Sequence, residues 1–408
     1  MTNWGQEAQT RLHSIAQLSE AGAGVTRYPF TPQHKAAIET ITGWMEQARM
    51  TVHLDAACTL VGRLGGPLDE HADAPTFLIG SHQDSVRSGG AYDGIMGVAL
   101  GCLALQKLQE EGVTLPFAVE VLAFADEEGV RFPTALLGPR ALAGSYNPAV
   151  LSMTDAQGIT LADALNGAGG NAAALPSLKR SGNEILGYLE AHIEQGPVLQ
   201  AADAAVGIVS GICGIERNTI HITGTTGHAG TVPMDMRHDA LVTAAHIIAH
   251  VNAAAIAATD IRATVGHITC APNVVNAIPS DVTLTLEIRS EKDDLRQSFA
   301  ANIEGFVQDL AQELGTPAKF SKTYEQAAVA CDPDLAASLS QAAEGVKITA
   351  PVLVSGATHD ASAMADLCPI TMLFVRCKDG ISHSPEEHAE SADMDQAIAV
   401  MAAFLKGL

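Results

Sequence analysis

Apolar residues in the first half of the chain follow two alternating patterns. Residues 33–49 carry them at the three-and-four spacing of an amphipathic helix, and 94–109 reads as a second, more uniformly apolar helix. Between and after these lie short apolar runs. Residues 76–80 lead straight into His82, and 117–125 lead straight into Asp126, Glu127 and Glu128. Short apolar strands alternating with helices predict an α/β domain with a mostly parallel central sheet. In such sheets ligands gather at the carboxyl ends of strands, where both of these polar clusters fall.

The pattern changes near residue 211. Strands are expected at 215–223, 262–270, 281–289 and 318–324, and helices at 239–258 and 295–314. The order β-α-β-β-α-β is that of a ferredoxin-like α+β unit. Residues 211–328 therefore read as an inserted domain, with 1–210 and 329–408 rejoining as one domain. Residues 162–182, rich in Ala, Gly, Asn and Ser, read as loop.

At 408 residues the chain is long enough for two domains, and 47% apolar content supplies their cores. A net charge of −23 lacks the basic footprint of a nucleic-acid binder. It leaves a small anionic substrate open, because a local Arg can override the global field. The seven cysteines show no C-x-x-C pair, which suits reduced thiols and a cytoplasmic location. The polar N-terminus shows no signal peptide, and the apolar run at 94–105 is broken by Gly and too short for a bilayer, so no membrane association is expected.

Five segments end in residues suited to divalent cations: His82 in G-S-H-Q-D-S-V, Asp93 in G-G-A-Y-D-G, the Glu127-Glu128 pair, His192 in E-A-H-I-E-Q-G, and His383 in G-I-S-H-S-P. Imidazoles and carboxylates in this mixture suit Zn or Mn, with Co or Ni also accepted. Taken singly, each motif has a plain structural alternative. H-x-D can be a surface loop, adjacent glutamates a solvated turn, and a single His a core residue. The paired acids end an apolar strand, however, where burial sets them at odds unless a cation intervenes. One can then be a ligand while the other serves as a base. Asp84, two residues beyond His82, can accept a hydrogen bond from that imidazole. In the inserted region His228, between glycines in G-H-A-G, can polarise a carbonyl. Arg217 and Arg289 have the forked geometry that binds carboxylates, and surface charge is an equal reading for Arg217.

As a set, G-S-H-Q-D-S-V, G-G-A-Y-D-G-I-M-G-V, A-D-E-E-G-V-R-F, L-E-A-H-I-E-Q-G-P-V-L, G-H-A-G-T-V-P-M, N-A-I-P at Asn276, S-G-A-T-H-D-A and G-I-S-H-S-P-E-E span nearly the whole chain. The sequence resembles the hydantoinase/carbamoylase branch of the dinuclear-metal aminoacylase and carboxypeptidase superfamily, and within it looks most like allantoate amidohydrolases. The resemblance implies a metallopeptidase-like catalytic domain with an inserted dimerisation or lid domain. It implies that His82, Asp93 and His192 hold one cation and that Asp93, Glu128 and His383 hold the other, with Asp93 bridging and Glu127 as general base. It also implies that Gln195, Arg217, His228, Asn276 and Arg289 bind a small anionic ureido substrate, and that the protein is a homodimer. N-carbamoyl-L-amino acids and β-ureidopropionate are the alternative substrates. A peptidase or deacylase on the same metals, or a binding protein without catalysis, are further readings. Thr358, His238 and Glu287 depart from the pattern usual in the branch, all on the substrate side.

Overall fold

The computed structural model describes residues 2–65 and 75–408. Its strands in chain order are β1 (Thr51–Leu54), β2 (Leu60–Leu64), β3 (Thr76–His82), β4 (Ala118–Phe124), β5 (Ile185–Ile193), β6 (Val206–Ile212) and β7 (Gly214–Thr223). They continue with β8 (Arg262–Ala271), β9 (Asp281–Ser290), β10 (Ala318–Gln326), β11 (Val329–Ala330), β12 (Val352–Ser355) and β13 (Ile370–Val375). The chain divides into two compact units, Met1–Ser210 with Cys331–Leu408, and Gly211–Ala330.

The first unit is built on a nine-stranded sheet whose path runs β1-β2-β4-β3-β5-β13-β6-β11, with β12 also on β6. The four central strands β4, β3, β5 and β13 are mutually parallel, while β2 on one side and β6 on the other pair antiparallel. Every residue of β3, β4 and β13 is buried, which is why these strands read as continuous apolar runs rather than alternating ones. On one face the helices Trp4–Ala16, Ile95–Glu110 and Ser391–Gly407 pack together in a single large core. Helix Ile95–Glu110 is buried on nearly every side from Ile95 to Leu105, and its sequence is apolar all round for that reason.

Residues 162–182 are more ordered than expected. They hold most of the helix Leu161–Gly167 and the 3-10 turn Ala172–Leu178, packed in a small core with Phe30, Phe132 and Leu137. The composition suggested loop, but Leu161, Leu165 and Leu175 supply the anchors. Thr160 caps the helix by accepting from the Asp163 amide at 3.1 Å.

The second unit is a four-stranded antiparallel sheet, β10-β7-β9-β8. Helices Ala240–Ala257 and Asp293–Leu314 pack on it around Ile220, Leu284, Ile247 and Ile303. By length and composition alone, helix Ala240–Ala257 is apolar enough to cross a membrane. Here Thr243, Ala244, Ile247 and Val251 are buried in the unit, while Leu241, Val242 and Ile256 are exposed.

Candidate metal centre

Four parallel strands deliver the site at their carboxyl ends. β3 ends on His82, β4 ends three residues before Glu127, β5 carries His192 as its penultimate residue, and β13 leads into the loop bearing His383. Asp93 lies in the turn between β3 and helix Ile95–Glu110. That turn depends on Gly94, whose φ is +65°, and a Cβ there would lie 2.3 Å from the His82 ring.

The centre of the arrangement is the Asp93 carboxylate. Its Oδ1 lies 3.1 Å from His192 Nε2 and 3.8 Å from His82 Nε2, while Oδ2 lies 3.2 Å from His383 Nε2. Glu128 Oε2 is 3.8 Å from the same His383 nitrogen. Each oxygen of one carboxylate thus faces its own set of donors. His82, Asp93 and His192 form one group and Asp93, Glu128 and His383 another, with ligand atoms mutually within 4.8 Å. Both donor sets are nitrogen and oxygen, as Zn and Mn accept. Glu128 Oε1 is buried with no hydrogen-bond partner, as suits a ligand oxygen, and the residues present fit a pair of divalent cations.

The imidazoles are pre-set for that role. His82 Nδ1 meets the Asp84 carbonyl at 3.1 Å and His192 Nδ1 meets the Ile193 carbonyl at 2.9 Å, so each ring presents Nε2 to the centre. The Asp84 carboxylate serves two partners. It stands 3.6 Å from His82 Nδ1, and it accepts from the backbone amides of Glu127 and Glu128 at 3.1 and 3.3 Å. It fixes the paired acids as well as backing the imidazole.

Charge within this buried cluster is finely divided. Burial alone would raise the Asp93 carboxyl, but hydrogen bonds with His192 and His383 hold it well below the usual range. Burial, with Asp93 alongside, pushes Glu128 up to about 7. Glu127 is driven well above the usual range by burial, against the pull of His82. Its Oε2 stands 3.9 Å from His82 Nε2, at the edge of the ligand sets.

Gln195 also reaches the centre. Its amide nitrogen lies 3.2 and 3.3 Å from the Asp93 oxygens and 3.0 Å from Ser382 Oγ. Gln195 and His383 both adopt left-handed backbone, with φ of 55° and 54°. Non-glycine residues rarely do so, and such conformations concentrate at functional sites.

The remaining candidates lie in the second unit. Arg217 on β7 and Arg289 on β9 are both tied to Glu287, each Nε donating to one of its oxygens at 2.7 Å. Arg217 also lies over the Tyr324 ring at 5.1 Å. His228 and Asn276 come together on two loops joined by the Ala229 amide donating to the Asn276 carbonyl at 2.9 Å. His228 Nδ1 accepts from the Gly230 amide at 3.1 Å, so the neutral ring carries its proton on Nε2 and can donate it. These two pairs sit at opposite ends of the sheet. Arg289 pairs with Ile215 near one end and Asp281 with Thr223 at the other, about 27 Å apart along β9 at the usual rise per residue.

Sequence reasoning gives no role to His359, Ser382 and Glu387, and reads Glu190 as part of a polar turn, whereas it is buried within β5. Glu190, His192 and His359 form a third close cluster, but the Glu190 oxygens are already engaged by Ser81, the Ala361 amide and Tyr188. His359 Nε2 is bonded to Ser355 at 2.7 Å and its ring stands edge-on to His192 at 4.5 Å. This group braces His192. Glu190, two residues before His192 on β5, is the one member with a local signal.

Parallel strands that gather two cation sites around one shared carboxylate, with a spare acid beside them, define the class of dinuclear metallohydrolases. The chain belongs to the peptidase family M20/M25/M40, whose model matches residues 78–407. It is 36% identical over 390 residues to an N-carbamoyl-L-amino acid amidohydrolase of Geobacillus stearothermophilus, covering 95% of each. It is also 36% identical over 431 residues to an allantoate deiminase of Arabidopsis thaliana, covering 98% of this chain and 82% of that one. A solved amidase of the hydantoinase/carbamoylase family from Burkholderia multivorans superposes with a TM-score of 0.92 at 32% identity, covering 98% of this chain and 97% of its own.

Proposed function

We propose that this protein is a dinuclear-metal amidohydrolase that cleaves the ureido C–N bond of a small carboxylate substrate, allantoate foremost and N-carbamoyl-L-amino acids as the alternative. The observation that carries the reading is the Asp93 carboxylate facing two ligand sets, with Glu127 beside them. The relatives named above act, by their names, on substrates of this kind. His82, Asp93 and His192 would hold one cation and Asp93, Glu128 and His383 the second. Zn or Mn suits both sets, and Co or Ni is also accepted.

When bound, the two cations supply Lewis acidity to a carbonyl oxygen and to a water. Glu127, placed beside the ligand sets, would take the proton from a water there and pass it to the leaving nitrogen. Ammonia leaves, and the remaining carbamate breaks down to carbon dioxide and the amine that bore the ureido group. The Nε2 proton of His228 is suited to the developing oxyanion. A panel of allantoate, N-carbamoyl-L-amino acids, β-ureidopropionate, N-acetyl amino acids and dipeptides, compared by kcat/KM, tests the reading. Preference for an acetyl or peptide substrate would replace it with a deacylase or peptidase.

Arg289 is the proposed holder of the substrate carboxylate, because Glu287 fixes its Nε and orients its planar fork. Arg289→Lys keeps the charge and loses the fork. It is expected to lower kcat/KM by about 1.5–3 kcal/mol on the acid, and to leave an amide analogue nearly unaffected. Equal losses on both would assign the carboxylate elsewhere, with Arg217 next.

A homodimer that shares its active sites is part of the same proposal. Arg289 and the strand end that leads to the His228–Asn276 loops stand about 27 Å apart along β9, a separation that favours a site completed by a second copy. Two copies resolve this if each lends its His228 to the other. β8 is an edge strand with mostly exposed residues, and Ile268 on it and Leu241, Val242 and Ile256 on the helix Ala240–Ala257 are exposed apolar groups that a second copy would cover. Verified heterodimers of Glu127→Gln and His228→Ala chains are expected to recover activity, since one site then has both groups. No recovery would place His228 in the site of its own chain. Seven free cysteines, six of them buried, fit the cytoplasm as its location.

A further inference from the structure

We infer that Glu387 is a positioning residue that locks the bridging Asp93 and the loop of His383 into one rigid bracket, and so determines affinity at the second cation site. The inference rests on the two-metal reading above and goes beyond it, because Glu387 belongs to neither ligand set.

Asp93 and His383 lie on segments remote in sequence, and only tertiary contacts can fix their separation. Glu387, 5% exposed, supplies three of these contacts. Its Oε1 accepts from the backbone amides of Tyr92 and Asp93 at 2.9 and 3.0 Å, and its Oε2 accepts from Ser382 Oγ at 3.1 Å. One carboxylate therefore grips the backbone of the bridging ligand and the side chain next to His383. Ser382 in turn accepts from Gln195 at 3.0 Å, which closes the bracket around the Asp93 carboxylate.

The surrounding chain is shaped for this grip. A Cβ on Gly90 would fall 2.1 Å from Glu387 Oε1, so the loop before Asp93 is glycine where the carboxylate enters. The loop bearing His383 is closed at its base by the Lys378 amide on the His388 carbonyl at 2.8 Å, and a turn joins the Glu387 amide to the Ser384 carbonyl at 3.1 Å. His383 holds its left-handed backbone, φ 54°, inside that closed loop. Such a conformation persists where its surroundings over-determine it. Carboxylates that brace ligands in this way are typically worth about 10–100-fold in metal affinity.

The test uses the full chain stripped of metal and titrated with Mn2+, with stoichiometry and affinity read by calorimetry and the coupling of two bound ions by electron paramagnetic resonance. In E387A one of the two binding steps is expected to lose about 10–100-fold in affinity, together with the signal of a coupled pair, while the other step changes little. E387Q can still accept from both amides and donate to Ser382, and should recover most of the affinity. S382A removes one of the three Glu387 contacts together with the Gln195 bond to Ser382, leaves both backbone amides on Glu387, and should weaken the same step selectively by a smaller factor. The inference is overturned if folded E387A binds both ions as the wild type does, or if E387Q is impaired as severely as E387A. Should E387A not fold, S382A decides: selective weakening supports the bracket, and unchanged affinity at both steps overturns it. A wild-type chain that binds no second ion would instead remove the two-metal reading itself.

Discussion

Glu127→Gln is expected to keep two cations per chain and to lose about 10²–10⁴-fold in turnover, the usual contribution of a positioned general base. The substitution preserves shape and removes the proton acceptor. The Glu127 amide would still donate to Asp84, since that bond is made by the backbone, so the neighbouring ligand Glu128 keeps its place. KM should change far less than kcat, because the lost interaction belongs to the transition state. Metal analysis and steady-state kinetics on the same preparation check both halves. Near-normal turnover would remove Glu127 from its role, and loss of metal would make it a ligand.

Asp93→Ala is expected to have the largest effect on the centre: loss of both cations, and activity at background. One oxygen serves the His82 and His192 side and the other the His383 and Glu128 side. No other carboxylate is common to the two ligand sets. His383→Ala should lose mainly one ion, because that ring reaches only the second set. Two tightly retained ions in Asp93→Ala, measured after gel filtration, would show that Asp93 is not the bridge. Its neighbours are also poorly placed without it. With Asp93 gone, His82 and His192 face each other at a ring separation of 5.7 Å with no carboxylate between them.

What could be read from the sequence was whatever has a local cause. Strands buried on both faces are uniformly apolar, so β3 and β4 were evident, and so were the polar residues at their ends. The β-α-β-β-α-β order of the second unit came from six clean segments. The short strands β1 and β2 were not evident, because four or five residues with mixed burial carry little periodicity. The helix Leu161–Gly167 was hidden by its small residues, although Thr160 and Asp163 form a capping signal. Asp84 is legible from its spacing from His82, but that its carboxylate also holds the loop after β4 is not revealed by spacing alone. Glu387 stands in the G-I-S-H-S-P-E-E segment, but nothing local shows what it holds. Its partners Tyr92 and Asp93 are nearly three hundred residues away. Contacts of that length belong to the fold.

The most direct measurement is ammonia release from allantoate by the metal-stripped chain as Mn2+ or Zn2+ is added back. The account predicts no activity without metal, a rise that levels off at two equivalents per chain, and one ammonia and one carbon dioxide formed per ureido group cleaved. Saturation at a single equivalent, or no ammonia from allantoate or any N-carbamoyl-L-amino acid under conditions where a dipeptide or N-acetyl amino acid is hydrolysed, would contradict it.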